Sequence, residues 1–547
     1  MSKLLFLFVT LFLTLSMPII GLGQYISSVT APDKSVEINT DTSDLSNKYA
    51  LTITKEDLSD HLHVLASDEY EGRETGMPGN DKAAQYIADD FKTLGLPAIG
   101  MENSYYQNVA FNRTGWSKNE MTVNGNTYKH LWDYMTFATM TDNMPDIDLD
   151  EVIFLGYGID DDKYSDYKGN NVRGKVIMIN KGEPINKDSL SYITGERTPS
   201  AWSQNIWKKL AVAQSNGVKA VLIIEDQLKQ FLDQNRRFLV SPSLELGDGE
   251  IGEREYANHV YISSTIAKDI IAKKARKIKR WRKKNLKRGK TKAIKLSTDI
   301  TLNFERNLEV IKGHNVMGYI EGTDKKDEII VISGHYDHLG KKGNDIYNGA
   351  DDNGSGTSTV MEIAEAFTKA KNEGNGPRRS VLCLLVTGEE KGLLGSEYYA
   401  ENPIFPLENT VANVNIDMVG RVDKKYANNP EYIYVIGSDR LSTDLHKINE
   451  DINSEYSQII MDYKYNSEDD PNRYYFRSDH YNFAKKGIPA IFFFSGVHED
   501  YHRTSDTVDK IMFDKMEVIG RHIFHLAWDL ANREERIVVD GEVKAGR

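Results

Sequence analysis

The sequence predicts an α/β fold: a three-layer, mostly parallel twisted sheet with helices on both faces, interrupted by a separate β-rich module. Three observations carry this prediction. Short apolar, β-branched runs recur at 329–332, 381–386, 411–416 and 491–494, separated by stretches with helical spacing. That is the pattern of strands buried on both faces by crossover helices. Each run leads to side chains able to hold a metal ion: His335, the pair Glu389 and Glu390, Asp417 and, from a loop, His502. Ligands of open α/β sheets sit where the carboxyl ends of the strands meet, so four such endings predict one shared site. Between about 147 and 299 the texture changes to strands without any such cluster.

Composition sets the frame. A chain of 547 residues exceeds one ordinary domain and suggests two folded units plus extensions. Its 40% hydrophobic and 10% aromatic content supports packed cores. The single cysteine, Cys383, lies inside an apolar run, reads as a small core residue and excludes a disulfide framework. The net charge of −13 hides a segregation: residues 273–295 hold 14 Lys and Arg and no acid, leaving 54 basic against 81 acidic groups elsewhere. The basic run reads as a solvated helix touching the protein through Ile278, Trp281 and Leu286, and the acidic balance elsewhere argues against nucleic acid as a partner.

In chain order, Lys3 followed by an uncharged stretch to the small residues Gly21 and Gly23 reads as a cleaved signal peptide, 1–23, rather than an anchor. The mature protein is expected in the periplasm or outside the cell, with no stable membrane insertion after cleavage. Residues 24–50 read as a loose leader. Residues 51–146 open the first part of the site-bearing domain, with a capping box at Thr54 before Leu58, Leu62 and Leu65, a glycine-rich loop at 67–80, and a helix over 81–94 carrying Ala84, Ile87 and Phe91. Residues 147–300 form the inserted module, with strands near 152–155, 174–179 and 220–224 and a helix over 207–216. The site-bearing domain resumes over 301–532, and 533–547 reads as a frayed tail.

The candidate site builds residue by residue. His335 and Asp337 stand two apart where strand becomes loop; a ligating histidine usually donates its other ring N–H to a carboxylate, the part Asp337 suits. In the loop 348–356, small residues let the backbone approach a metal, and either Asp351 or Asp352 can bind while the other caps the following helix. Of the neighbours Glu389 and Glu390, one can bind metal while the other faces substrate as general base, since adjacent side chains on an extended segment diverge. Asp417 ends an apolar strand, where acids are seldom buried unpaired. His502 can cap the site from its loop. Two histidines and three carboxylates beyond the base suit Zn²⁺, with Mn²⁺ or Co²⁺ as rivals. Five ligands exceed the three of a mononuclear catalytic zinc and fit a pair of ions ~3.5–4 Å apart.

At these residues the chain resembles the co-catalytic zinc exopeptidases, peptidase family M28, which includes secreted bacterial leucyl aminopeptidases and aminopeptidase Y. The matching segments are SGHYDHLG (333–340), NGADDNGSG (348–356), TGEEKGLLGSEYY (387–399), NIDMVG (415–420) and YHRTSDT (501–507). The resemblance implies two zinc ions, one on His335 and Asp417 and the other on Glu390 and His502, with Asp352 as bridge, Glu389 as base and a cis peptide after Asp352. It implies an aminopeptidase in which the ions activate a water and Glu389 takes its proton, acting on peptide or protein substrates. Tyr501, ahead of Tyr475, is the expected donor to the oxyanion. A carboxypeptidase or dipeptidase on the same fold, with Arg477 or Arg421 binding the substrate carboxylate, is the alternative. A glutaminyl cyclase, or a binding protein without turnover, is more remote. His338 departs from relatives with a small residue there and is expected to alter the pocket rim. GKVIMINKGEP (174–184) and KKLAVAQSNGVKAVLII (208–224) resemble a protease-associated domain, a non-catalytic insertion.

Overall fold

Neighbouring strands of the site-bearing half run parallel with their ends in step, and this brings residues distant in sequence to one edge. A computed structural model describes residues 42–240, 242–250, 255–289 and 292–543. The signal segment and the leader up to residue 41 lie outside the described residues. The strand Lys325–His335 pairs in parallel with Arg379–Val386 on one side and Thr410–Ile416 on the other, and Thr410–Ile416 pairs in parallel with Ala490–Phe494. His335 stands opposite Val386, Ser333 opposite Asn415, and Ile416 opposite Phe493. The residues that follow, including Glu389 and Asp417, therefore emerge together. Tyr432–Ile436 and Ile460–Asp462 complete the edge.

Side chains alternate along these strands, as the pleat requires. Ile330, Ile332, Val381, Cys383 and Leu385 pack with the helices Lys55–Leu65, Pro78–Thr93, Gly356–Asn372 and Phe513–Asn532. Ile329, Val331, Leu382, Leu384 and Val386 face Tyr399 and Phe483 from the helices Leu394–Glu401 and His480–Ala484. All ten strand residues are at most 2% exposed, and fully burying such a side chain is worth about 1.5–3 kcal/mol. The result is helix, sheet, helix.

The 27-residue strand Ile294–Ile320 ties this half to the middle segment. It pairs antiparallel with Arg379–Val386 through its last residues, with Tyr106–Val123 along most of its length, and with Met144–Phe154 near its start. Val176–Asn180, Ala220–Glu225 and His259–Ser263 continue from Met144–Phe154 as parallel neighbours. The boundaries set at 147 and 300 thus fall inside continuous strands, so the middle segment extends the same hydrogen-bonded sheet while keeping cores of its own on both faces.

Three expectations change. The loose leader ends at a helix, Leu45–Ala50, capped by Asp44; Tyr49 and Ala50 join the core, and Ser46 meets His525 at 2.7 Å. Six residues are too few to show periodicity, and it is the C-terminal helix that supplies their partners. The tail up to residue 543 is tied down: Ile537 is buried, Val538 N–H donates to Asp444, and Asp540 accepts from Thr443. In the basic helix Ala275–Arg288, Ile278 and Trp281 are buried, with Trp281 edge-on to Phe154, whereas Leu286 is 45% exposed.

A candidate metal centre at the strand ends

His335 ends its strand almost wholly buried, and its Nδ1 donates to the Asp337 carbonyl at 3.0 Å. That bond fixes the tautomer and turns the Nε2 lone pair towards Asp352 Oδ1 and Asp417 Oδ1, each at 3.4 Å, and Glu389 Oε2 at 3.8 Å. The orienting contact expected of the Asp337 carboxylate is thus made chiefly by its main chain. The carboxylate, 3.7 Å from His335, instead accepts from the backbone N–H groups of Glu389 and Glu390 and from Thr75 Oγ1. Asp337 links the histidine loop to the glutamate pair.

The loop before Gly356–Asn372 separates its two aspartates. Asp351 turns inward, accepting from Gly420 N–H at 2.6 Å and Ser355 Oγ at 2.9 Å, with His498 Nε2 3.2 Å from its other oxygen. Asp352 faces the site. Its Oδ1 lies near His335 and its Oδ2 2.9 Å from His502 Nε2, so the carboxylate reaches two histidine groups with one oxygen each. The peptide between Asp352 and Asn353 is cis. Asp506, some 150 residues away in sequence, accepts the N–H groups of both aspartates.

Glu389 and Glu390 follow Gly388, whose positive φ of 78° starts a 3₁₀ turn over Glu389–Lys391. They diverge because of this turn, not because the segment is extended. Glu389 joins His335 and Asp417; Glu390 points at His502 Nε2, 3.1 Å away, and at His338 Nδ1, 2.9 Å away. Their acidities part as well. Burial pushes the Glu389 carboxyl well above the usual range, with His335 opposing. Burial acts the same way on Glu390, but His338 and His502 outweigh it and hold Glu390 well below that range. His502, in a left-handed backbone conformation, is raised to about 9: burial lowers it, and Asp352 and Glu390 more than compensate. Asp417 accepts from Ser478 Oγ at 2.8 Å.

Two groups of donors result, His335 with Glu389 and Asp417, and His338 with Asp352 and Glu390; within each, the ligand atoms lie within 4.8 Å of one another. His335 Nε2, Asp417 Oδ1 and both ring nitrogens of His338 are buried without a hydrogen-bond partner. Buried polar atoms are rarely left so, and imidazole with carboxylate is the donor set zinc takes. The residues present fit a metal pair. His338 is not at the rim: it is fully buried beside Glu390.

A cavity of about 40 Å³ opens onto this cluster, lined by Asp352, Glu389, Asp417 and His502, with the apolar Met418, Phe492, Phe494 and Val497 and the polar Arg477 and Tyr501. Tyr501 stacks on His502, ring centres 3.7 Å apart. Tyr475 is outside the lining, packed against His480 and under Arg440. Arg421 is paired with Asp500 at 3.1 Å. A larger cleft of about 690 Å³ lies elsewhere, between the basic helix and the ends of the middle strands.

Sequence reasoning missed Arg73. Its guanidinium is buried and donates to the carbonyls of Tyr336, Leu65, Asn348 and Gly349 at 2.6–2.9 Å, clasping the histidine loop to the aspartate loop. Burial lowers it to about 10, with Asp337 and Asp352 opposing. The glycine-rich loop 67–80 was a signal, but its one arginine looks like any surface charge.

Residues 315–527 match the model of Peptidase family M28. A probable leucine aminopeptidase of Trichophyton verrucosum is 29% identical over 215 residues, covering 38% of this chain and 55% of the relative. A probable glutamate carboxypeptidase of Arabidopsis thaliana is 33% identical over 119 residues, covering 22% and 16%. The chain spans about half the length, or less, of the curated relatives it matches. Among solved structures, an aminopeptidase from Aneurinibacillus sp. strain AM-1 has a TM-score of 0.52 at 20% identity, covering 91% of this chain and 98% of that chain, a likeness of fold.

Proposed function

With residues 315–527 forming a domain of peptidase family M28, we propose that the chain is an exported, zinc-dependent aminopeptidase that removes N-terminal residues from peptides. The observation that carries it is Asp352, reaching both histidine groups with one oxygen each, beside Glu389 on the cavity wall. His335, Asp417 and Asp352 would hold one zinc ion, and Glu390, His502 and Asp352 the other. When bound, the pair polarises the scissile carbonyl and acidifies the attacking water.

The protein's own groups do the rest. Glu389 takes the proton of the water and returns it to the leaving amine from its place on the cavity wall. Tyr501 donates to the oxyanion from the cavity wall. Asp337 and Arg73 position the glutamates and the two loops. Met418, Phe492, Phe494 and Val497 suit an apolar first side chain, and the surplus of carboxylates suits a cationic α-amine. The middle segment is assigned as a non-catalytic insertion of protease-associated type.

Arg477 favours a second reading, since a cavity arginine can bind a C-terminal carboxylate; Arg421, engaged by Asp500, adds little. Mass spectrometry of a mixed peptide pool, incubated with and without chelator, separates the two. Stepwise N-terminal loss abolished by chelator is expected. C-terminal loss would make the protein a carboxypeptidase, loss of ammonia from N-terminal Gln alone a cyclase, and an unchanged pool would overturn peptidase activity. Among the described residues no helix is long and apolar enough to cross a membrane.

A further inference from the structure

We propose that His338 is a ligand of the second metal ion, so that this ion has four protein donors, from Asp352, Glu390, His502 and His338, against three from His335, Asp352 and Asp417 around the first. The inference rests on the metal-pair reading and adds to it a donor and an inequality between the two positions.

Four observations support it. His338 is 0% exposed, yet neither ring nitrogen makes a hydrogen bond. Its Nδ1 lies 2.9 Å from Glu390 Oε1 and 3.7 Å from Asp352 Oδ2, and the three residues form one of the two donor groups. An imidazole nitrogen this close to one carboxylate, with a second carboxylate beside it, is placed where all three can share a cation. Its placement is also built. The His338 N–H donates to the Arg73 carbonyl at 3.2 Å, and Gly349 leaves room for the ring: a Cβ there would stand 2.5 Å from the ring carbons Cγ and Cδ2. Gly349 has φ +55°, so the conformation and the space demand glycine together. Finally, the ring stands 5.8 Å from that of His502, tilted by 55°, so two imidazoles converge on Glu390 from different directions.

The consequence follows from coordination chemistry. An ion with four protein donors is held by one more bond than an ion with three, and can still take the shared water by expanding to five ligands, as catalytic zinc does. The ion at His338 is therefore the retained one, and the ion at His335 and Asp417 the exchangeable one. No redox or covalent step is involved.

The test uses the full-length mature protein, stripped of metal and titrated with zinc against a competing chromophoric chelator. Wild type is expected to bind two zinc ions, one more tightly. In His338→Ala the tighter constant should weaken more than about 100-fold, beyond the 10–100-fold lost when a merely orienting residue is removed, with the weaker constant unchanged. A loss of 100-fold or less overturns the proposal. Should the variant not fold, zinc X-ray absorption on wild type at one zinc per chain decides: two imidazoles per ion are expected, and one would overturn it. If wild type binds fewer than two zinc ions, the metal-pair reading itself falls, which is a different failure.

Discussion

Two sets of parallel strands in this chain end in opposite ways. In the middle segment, Val176–Asn180 and Ala220–Glu225 run side by side between helices much as the site-bearing strands do. Their carboxyl ends are neutralised: Lys181 Nζ meets Glu225 Oε2 at 2.5 Å, Lys209 reaches the Gly182 carbonyl, and nearby Asp166 accepts from Tyr157 N–H, Ile159 N–H and Tyr164 Oη. At the ends of the other set, His335 Nε2, Asp417 Oδ1 and the His338 nitrogens stay buried without hydrogen bonds. The architecture is shared, and what marks the site is that such imidazole and carboxylate atoms gather there into groups within ligand distance of one another. Each such atom costs about 1–3 kcal/mol, so it persists only where surrounding bonds hold it.

That contrast can be broken in four places. The largest effect is expected at Glu389: Glu389→Gln should lower kcat by about 10²–10⁴-fold while two zinc ions remain bound, and turnover within tenfold of wild type would remove Glu389 from the chemistry. Metal removal comes next. Ligand binding at 1,000 times its Kd stabilises a fold by about 4 kcal/mol, so chelation should lower the melting temperature and loosen hydrogen-exchange protection around 335–356 while sparing 176–225; equal loosening of both would erase the distinction. Arg73→Met should cost more than about 3 kcal/mol by stranding four carbonyls, read by denaturant unfolding, and a cost under 1 kcal/mol would show that the loops hold without it. Smallest is the double change Lys181→Met with Glu225→Leu. Lys181 is half-exposed and Glu225 buried, and replacing both partners leaves no unpaired charge behind, so kcat/KM should stay within twofold; a large fall in activity would mean that the middle strand ends serve the site after all.

The legibility of the chain divides along similar lines. Thr54 was readable as a cap and accepts from Asp57 N–H as such caps do, and the helix with Ala84, Ile87 and Phe91 was readable from its spacing, though it begins at Pro78 rather than 81. These depend on neighbours three or four residues away. Tyr49 was not legible, because its partners, Trp528 in the C-terminal helix and Glu373 just past the end of Gly356–Asn372, are remote in sequence. The strand Ile294–Ile320 was not, because a change of texture reads as a boundary even where hydrogen bonding runs straight through.

By itself, then, the sequence determined the strand-and-helix alternation, the residue types at the strand ends and their order, because local period and composition encode those. Only the tertiary structure decided that Asp352 and not Asp351 faces the histidines, that Asp337 holds the glutamate backbone with its carboxylate, that Arg73 clasps two loops and that His338 is buried in the cluster. Each of these turns on the direction of a side chain leaving a loop. That direction is set by parallel register and by bonds to residues as far away as Asp506, not by the neighbours in the chain.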